Sequence, residues 1–249
     1  MSAPFQIFFT TKDAASDLHI YDEIKRLSKF DGLKTSVIFD KDISEHLNKF
    51  HPELAFYFDR LNIYAARADI MRLVYLYDFG GLYVDAHGVC VCALPKLFEQ
   101  TKQFDFVLFK NKHIKDGNLS IMLSKPKCDF LKDAISLVLR NLQAQYKAEQ
   151  STAAYVPYNI YELTGIAATW PLINPESNIR SEQLKKYNVC ELFVEDYFNL
   201  YANGFEATHG RNFETKHWSK LQTKYKLFTC RNSTNVCIHC RRNRHDKNY

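Results

Sequence analysis

The sequence predicts an α/β protein, a single Rossmann-like domain with a mostly parallel central sheet flanked by helices. Short apolar, strand-like runs alternate with amphipathic helical patterns in the first part of the chain, and this order is typical of a parallel sheet covered by helices. The composition fits a packed core, because 46% of the 249 residues are hydrophobic and 24% are charged.

The first four segments alternate strand and helix. Phe5 to Thr10 is predicted as the first strand, and residues 15–28 carry a helical apolar stripe. Leu33 to Phe39 is predicted as the second strand, and a short helix over about 42–49 follows it.

The strongest helical pattern lies over residues 62–78, where apolar residues recur at helical spacing. Gly80 and Gly81 follow it, and a left-handed C-cap favours glycine. Leu82 to Val84 is then a short buried strand that delivers Asp85 at its carboxyl end. In open α/β sheets that end of the strands binds ligands.

The later part of the chain is predicted to contain four further elements. They are an extended segment from Val89 to Leu94 that stops at Pro95, a strand from Phe104 to Phe109, a helix over 129–146 and a strand from Val189 to Val194.

The C-terminal end of the chain is strongly basic. We predict one domain over residues 1–228 and a basic, Cys-containing tail over 229–249. Residues 216–249 hold nine Lys or Arg and one acid, a net charge of +8, whereas the other 215 residues carry −3. Such a tail is typical of a solvated terminus, or of contact with phospholipid, nucleic acid or an acidic partner. Its single Cys237-Ile238-His239-Cys240 run is a weak zinc motif.

Cysteine usage and the lack of targeting segments predict the location. Seven cysteines without a paired framework indicate reduced thiols. The start of the chain lacks a signal-peptide pattern, and no run approaches the roughly 20 apolar residues of a membrane span. We therefore expect a cytoplasmic protein that touches a membrane only peripherally, through its tail, or one delivered into another cell as an effector.

The residues with most chemistry lie between Asp69 and His87. Asp69 and Arg72 are three apart and share a helix face, and Tyr83 and Asp85 are two apart on a strand and point to one side. Asp85 and His87 offer an oxygen and a nitrogen ligand. Two ligands are too few for a closed structural metal site, but they suit a metal that completes its shell with phosphates and water.

This segment resembles the DXD sugar-binding region shared by yeast-type α-mannosyltransferases, bacterial capsule transferases and the large clostridial glucosylating toxins. The matching residues are Asp69, Arg72, Leu76, Gly80, Gly81, Tyr83 and Asp85. Weaker matches flank the segment in the family's order: Gln6-Ile7-Phe8, Thr164-Gly165, and His209 with Trp218.

The resemblance implies a GT-A-fold glycosyltransferase that moves a hexose or N-acetylhexosamine from a UDP- or GDP-sugar to a glycan or protein. It implies a divalent metal and retention of anomeric configuration. It assigns donor-sugar contacts to Asp69 and Arg72, nucleoside contact to Tyr83, and the ribose, the sugar and a metal-bound water to Asp85.

The third position of the motif is a departure from the family, which usually has Asp where this chain has His87. The polypeptide N-acetylgalactosaminyltransferases use an Asp-x-His motif, so the change is compatible with activity. Nitrogen ligation favours Mn²⁺ or a later transition metal over Mg²⁺. The predicted metal ligands are Asp85, His87 and His209, with His217 as the alternative to His209. The other interpretation leaves His87 without a metal.

Two aromatic residues are further candidates for donor binding. Phe8 replaces the tryptophan that stacks on the nucleobase in some relatives, and it is otherwise a core residue of the first strand. Trp218 is predicted to lie over the diphosphate, with simple packing as the alternative.

Two other functions are compatible with the sequence. The first is a catalytically degenerate relative that binds a nucleotide-sugar or glycan and has lost activity through His87. The second is a nucleic-acid or membrane-binding protein that acts through its basic tail, although the motif lies in the slightly acidic body.

Overall fold

A computed structural model describes residues 5–11, 19–27, 29, 32–85, 89–90, 94–112, 117–173, 182–199 and 218–229. The strands are β1 (Phe5–Thr11), β2 (Leu33–Phe39), β3 (Gly81–Val84), β4 (Val89–Cys90), β5 (Phe106–Lys110), β6 (Gly117–Ser124), β7 (Val189–Phe193) and β8 (Phe198–Asn199). The helices are α1 (His19–Leu27), α2 (Asp40–Phe50), α3 (Pro52–Phe58), α4 (Tyr64–Phe79), α5 (Leu94–Thr101), α6 (Asp129–Gln150), α7 (Ile160–Leu163), α8 (Trp170–Ile173), α9 (Glu182–Lys185) and α10 (Trp218–Leu221). Two 3₁₀ turns cover Ile166–Thr169 and Val194–Asp196. None of the described helices combines the length and the apolar character that crossing a bilayer requires.

Six strands form the central sheet in the order β2-β1-β3-β6-β5-β7, and β4 pairs separately with β8. β1 runs parallel to β2 and β3, and β5 runs parallel to β7. β6 is antiparallel to both of its neighbours. The prediction of a mostly parallel sheet flanked by helices is therefore confirmed.

Both faces of the sheet are covered, because consecutive residues of a strand point to opposite sides. In β1, Phe8 joins the larger core formed with α2, α3, α4 and α6. Ile7 and Phe9 join the smaller core formed with α1 and α5. The central strands are thus buried on both sides, and only their ends reach solvent.

Some predicted elements were wrong in their bounds. The extended segment predicted from Val89 to Leu94 is a strand only over Val89–Cys90, and the helix α5 begins at Leu94. Pro95 lies in the first turn of that helix, where its missing N–H costs nothing. The helix α3 and the antiparallel strand β6 were missed.

The turn between α4 and β3 needs two glycines. Gly80 and Gly81 have φ of +66° and +104°, in the left-handed region that other residues avoid. A Cβ on Gly81 would lie 2.5 Å from the backbone oxygen of Gln6 in β1. The turn therefore lets β3 begin directly against β1, immediately after the helix.

The chain is packed into this fold as far as Phe228. The carboxylate of Glu149 in α6 accepts hydrogen bonds from the backbone N–H groups of Leu227 (3.0 Å) and Phe228 (3.3 Å). The Phe228 ring packs edge-on against Tyr57 and Tyr146. Of the predicted tail, only Thr229 is among the described residues, so the Cys237-to-Cys240 run lies outside them.

We predict that Gly81→Ala destabilises the protein far more than Gly32→Ala. Gly32 also has positive φ (+77°), but a Cβ at this position would have no described atom within 4 Å. Its substitution therefore costs only the left-handed backbone, about 1 kcal/mol. Gly81→Ala adds a backbone clash, and we expect a total loss of about 3 kcal/mol or more in the free energy of unfolding. Urea denaturation measures both losses, and equal losses would contradict this account of the turn.

Candidate active site

The candidate site lies at the carboxyl edge of β1 and β3, beside the middle of α4. Strand pairing places Phe8 beside Tyr83, so Thr10 comes next to Asp85 at that edge. The backbone N–H of Asp85 donates to the carbonyl of Ser120 in β6 (2.7 Å). Two neighbouring strands therefore hold the backbone from which the Asp85 side chain projects.

Asp69 and Arg72 form a buried ion pair on one face of α4. Arg72 Nη2 lies 3.1 Å from Asp69 Oδ1, and each side chain is only 10% exposed. Burial raises the pKa of Asp69, while Arg72 and Thr164 act in the opposite direction. The predicted shared helix face is confirmed by this contact.

Arg72 also connects α4 with the sheet. Its Nη1 donates to the carbonyl of Leu119 in β6 (2.8 Å) and lies 3.5 Å from Oδ1 of Asp85. Burial works against its charge, but Asp85, Tyr83 and Asp69 together raise the pKa of Arg72 above its ordinary value. One permanently charged guanidinium thus lies between two carboxylates.

Tyr83 completes the contact between the strand and the site. Its hydroxyl donates to Oδ1 of Asp85 and lies 3.2 Å from the hydroxyl of Thr10. Burial raises the pKa of Tyr83 well above 10, so its hydroxyl stays protonated and can donate. Tyr83 and Asp85 lie on one side of the strand, as predicted.

Thr164, at the end of α7, extends the same network. Its hydroxyl donates to Asp69 Oδ2 at 2.7 Å, and the residue is fully buried. The next residue, Gly165, packs against the backbone of Tyr161, and a Cβ on Gly165 would lie only 2.9 Å from that backbone. The Thr164-Gly165 pair is therefore a tight turn that aims a hydroxyl at Asp69.

The site can attract a cation. Among the described residues of the site, two carboxylates outnumber one guanidinium, and Asp85 is the more exposed carboxylate, at 31% of its side chain. Tyr83 and Arg72 both contact Oδ1 of Asp85, and no described residue hydrogen-bonds to its Oδ2. This carboxylate oxygen can therefore serve as a metal ligand. The other predicted ligands, His87 and His209, lie outside the described residues, as do His217 and the side chain of Trp218.

Phe8 is part of the core. It is fully buried in β1, with its ring 4.6 Å from that of Tyr75 and 5.3 Å from that of Tyr83, centroid to centroid. This burial favours the packing role over stacking on a nucleobase, because a stacked base needs an exposed ring face.

Two groups of the network were missed from the sequence. Thr10 ends the predicted first strand but was not recognised as a site residue, although a hydroxyl at the end of a parallel strand lies at the ligand-binding edge. The carbonyl of Leu119, which accepts from Arg72, could not be predicted from the sequence. The strand β6 was not recognised, and every residue has a backbone carbonyl, so the residue type does not indicate which carbonyl acts as an acceptor.

The segment that carries most of this site matches a known protein family. Residues 5–102 match the glycosyltransferase sugar-binding region containing a DXD motif. The resemblance predicted from Asp69 to Asp85 is thereby confirmed. The matched segment runs from β1 to the start of the loop before β5 and includes Asp69, Arg72, Tyr83 and Asp85 together with Thr10, whereas Leu119, Ser120 and Thr164 lie outside it. No curated protein matches the chain significantly.

Solved glycosyltransferase structures resemble the chain at low identity. The PaToxG glycosyltransferase is 14% identical, with a TM-score of 0.46, over 90% of this chain and 88% of its own. The UDP-bound glycosyltransferase domain of the YGT toxin is 13% identical, with a TM-score of 0.47, over 77% of this chain and 58% of its own. The glycosyltransferase GlyE of Streptococcus pneumoniae TIGR4 is 14% identical, with a TM-score of 0.42, over 91% and 54%. The chain thus spans little more than half the length of the last two.

We predict that Thr164→Val lowers the free energy of unfolding by about 1–3 kcal/mol, because the substitution keeps the shape and leaves a buried carboxylate with one donor fewer. Thr169→Val is the matched control: Thr169 is equally buried, but its hydroxyl donates only to the carbonyl of Ile166. We expect the control to lose less than about 1 kcal/mol in chemical denaturation, since bonds to charged groups are the stronger ones. Equal losses of unfolding free energy in the two variants would show that the bond to Asp69 stabilises the protein no more than a bond to a backbone carbonyl does.

Proposed function

We propose that the protein is a nucleotide-sugar-dependent glycosyltransferase that moves a hexose or N-acetylhexosamine from a UDP- or GDP-sugar to a glycan or protein. The family match supports glycosyl transfer as the class of activity. The observation that carries the proposal is the Asp69–Arg72–Asp85–Tyr83 network, which lies inside the matched region and at the ligand-binding edge of the sheet.

The residues of the network have separable roles in this proposal. Asp85 is the exposed end of the network, and its carboxylate accepts from the ribose and sugar hydroxyls of the donor. Asp69 accepts from a sugar hydroxyl while Arg72 and Thr164 hold it in place. Arg72 spends its N–H groups on Asp69, Leu119 and Ala68, so it acts chiefly by positioning the two carboxylates.

The leaving group of the reaction is a nucleoside diphosphate, whose two phosphate groups carry negative charge. A divalent ion, for which we propose Mn²⁺ with Asp85, His87 and His209 as ligands, would supply the charge that stabilises this leaving group. The protein contributes Asp85 as a preset oxygen ligand, because Tyr83 and Arg72 fix its other oxygen.

The family resemblance implies that the anomeric configuration is retained, with the acceptor attacking from the side of the leaving group. We propose a cytoplasmic site of action, in the producing cell or in a cell that receives the protein. The predicted basic tail is proposed as a peripheral membrane contact.

The test is donor hydrolysis without an acceptor, measured as nucleoside diphosphate released from a panel of UDP- and GDP-sugars with Mn²⁺ present. We predict that one donor is cleaved and that Asp85→Asn lowers kcat by at least about 100-fold, since it removes a charge that acts on the reacting group. Asp105→Asn is the control, because Asp105 is an exposed carboxylate at the opposite edge of the sheet, paired with Lys125. It should keep full activity.

Absence of cleavage for every donor, with binding retained, would favour the degenerate relative. Equal cleavage by wild type and Asp85→Asn would refute the role of Asp85.

A further inference from the structure

A second group of metal-binding side chains lies at the other end of α4. His46 of α2, His51 between α2 and α3, and Asp78 in the last turn of α4 place one ligand atom each within 4.8 Å of one another. Asp78 lies nine residues beyond Asp69, about 14 Å along the helix axis. β3 starts three residues later, so this group faces the opposite edge of the sheet from Asp85.

The two histidines approach the same carboxylate oxygen. His46 Nε2 lies 2.6 Å and His51 Nε2 lies 2.7 Å from Oδ2 of Asp78. The side chains of His46, His51 and Asp78 are 16%, 19% and 7% exposed, so the group is largely buried and reaches solvent mainly through the two imidazoles.

The backbone holds the histidines in position. His51 N–H donates to the carbonyl of Leu47 (2.7 Å), and its own carbonyl accepts from Ala55 (3.0 Å), so this one residue ends α2 and begins α3. The His46 ring packs against Phe50 and Phe79, at centroid distances of 4.9 and 5.2 Å. Backbone hydrogen bonds therefore fix the position of His51, and ring packing fixes that of His46, so that both imidazoles contact Asp78.

We propose that His46, His51 and Asp78 form a Zn²⁺-type metal site that fastens α2 and α3 to the end of α4. Two imidazole nitrogens and one carboxylate oxygen are ordinary zinc ligands, and three protein ligands leave a fourth position for water. Each neutral imidazole binds through the Nε2 lone pair with its proton on Nδ1, so the metal takes the place of the two hydrogen bonds to Oδ2.

The geometry needs a small adjustment. Tetrahedral ligands at about 2.0–2.1 Å from zinc lie roughly 3.3–3.4 Å apart, so each ring must move about 0.7 Å away from Oδ2. The two Nε2 atoms lie within 4.8 Å of each other and must reach the same separation. Lys127 Nζ contacts the other oxygen, Oδ1, so a positive charge that opposes metal binding lies beside the group. The lysine side chain is 61% exposed and can move away when a cation binds.

The test is Zn²⁺ titration of the metal-stripped full chain against a chromophoric chelator, with thermal unfolding measured in parallel. Other residues of the chain can bind zinc, His87 and Cys237 among them. The readout is therefore the difference between variants. We expect His46→Gln/His51→Gln to bind one Zn²⁺ fewer per chain and to lose part of the zinc-induced rise in Tm.

Three further variants keep the result interpretable. Asp85→Asn should retain this equivalent of zinc, since it changes only the proposed donor site. Lys127→Met removes a neighbouring positive charge and no ligand, so we expect it to tighten zinc binding about tenfold. If the double variant fails to fold, His51→Gln alone should weaken binding at least about tenfold, because it removes a direct ligand.

Equal zinc stoichiometry and affinity in wild type and His51→Gln would overturn the proposal and leave the group as a hydrogen-bonded contact between helices. The experiment measures zinc binding and Tm and does not depend on nucleotide binding or donor cleavage. Failure of one proposal therefore leaves the other unaffected.

Discussion

The Arg72 guanidinium between Asp69 and Asp85 is the interaction on which the rest of the site depends. A buried charge is costly unless it is paired and hydrogen-bonded, and removing one partner of such a group is strongly destabilising. Arg72 meets this demand with two carboxylates and the Leu119 carbonyl, which belong to α4, the end of β3 and β6. The same contacts that satisfy the charge therefore fix the distance between the two acids.

The order of helix, two glycines and strand explains why this network is encoded in so short a segment. α4 ends at Phe79 with Gly80 as its C-cap, and β3 starts at Gly81 in contact with the backbone of β1. The turn brings a helix face and a strand end together within 17 residues, from Asp69 to Asp85. Substitutions that displace the turn are expected to act on the site as well as on stability.

Local spacing predicted the parts of the site that local geometry controls. Asp69 with Arg72 and Tyr83 with Asp85 are neighbours in any helix or strand, and the structure places them in contact. The bonds from Thr164 and to Leu119 join positions 95 and 47 residues apart, so only the tertiary fold brings them together. The contact of His46 and His51 with Asp78 was missed for the same reason. Pro95 was misread because proline can stop one element or start the next.

We propose that the carboxyl edge at Asp85 holds a nucleotide together with a divalent metal. Isothermal titration of the metal-stripped protein with UDP and with GDP, each with and without Mn²⁺, tests it most directly. We expect that one nucleotide binds with Mn²⁺, that it does not bind without the metal, and that Asp85→Asn abolishes the binding. Failure of both nucleotides to bind under either condition would contradict it.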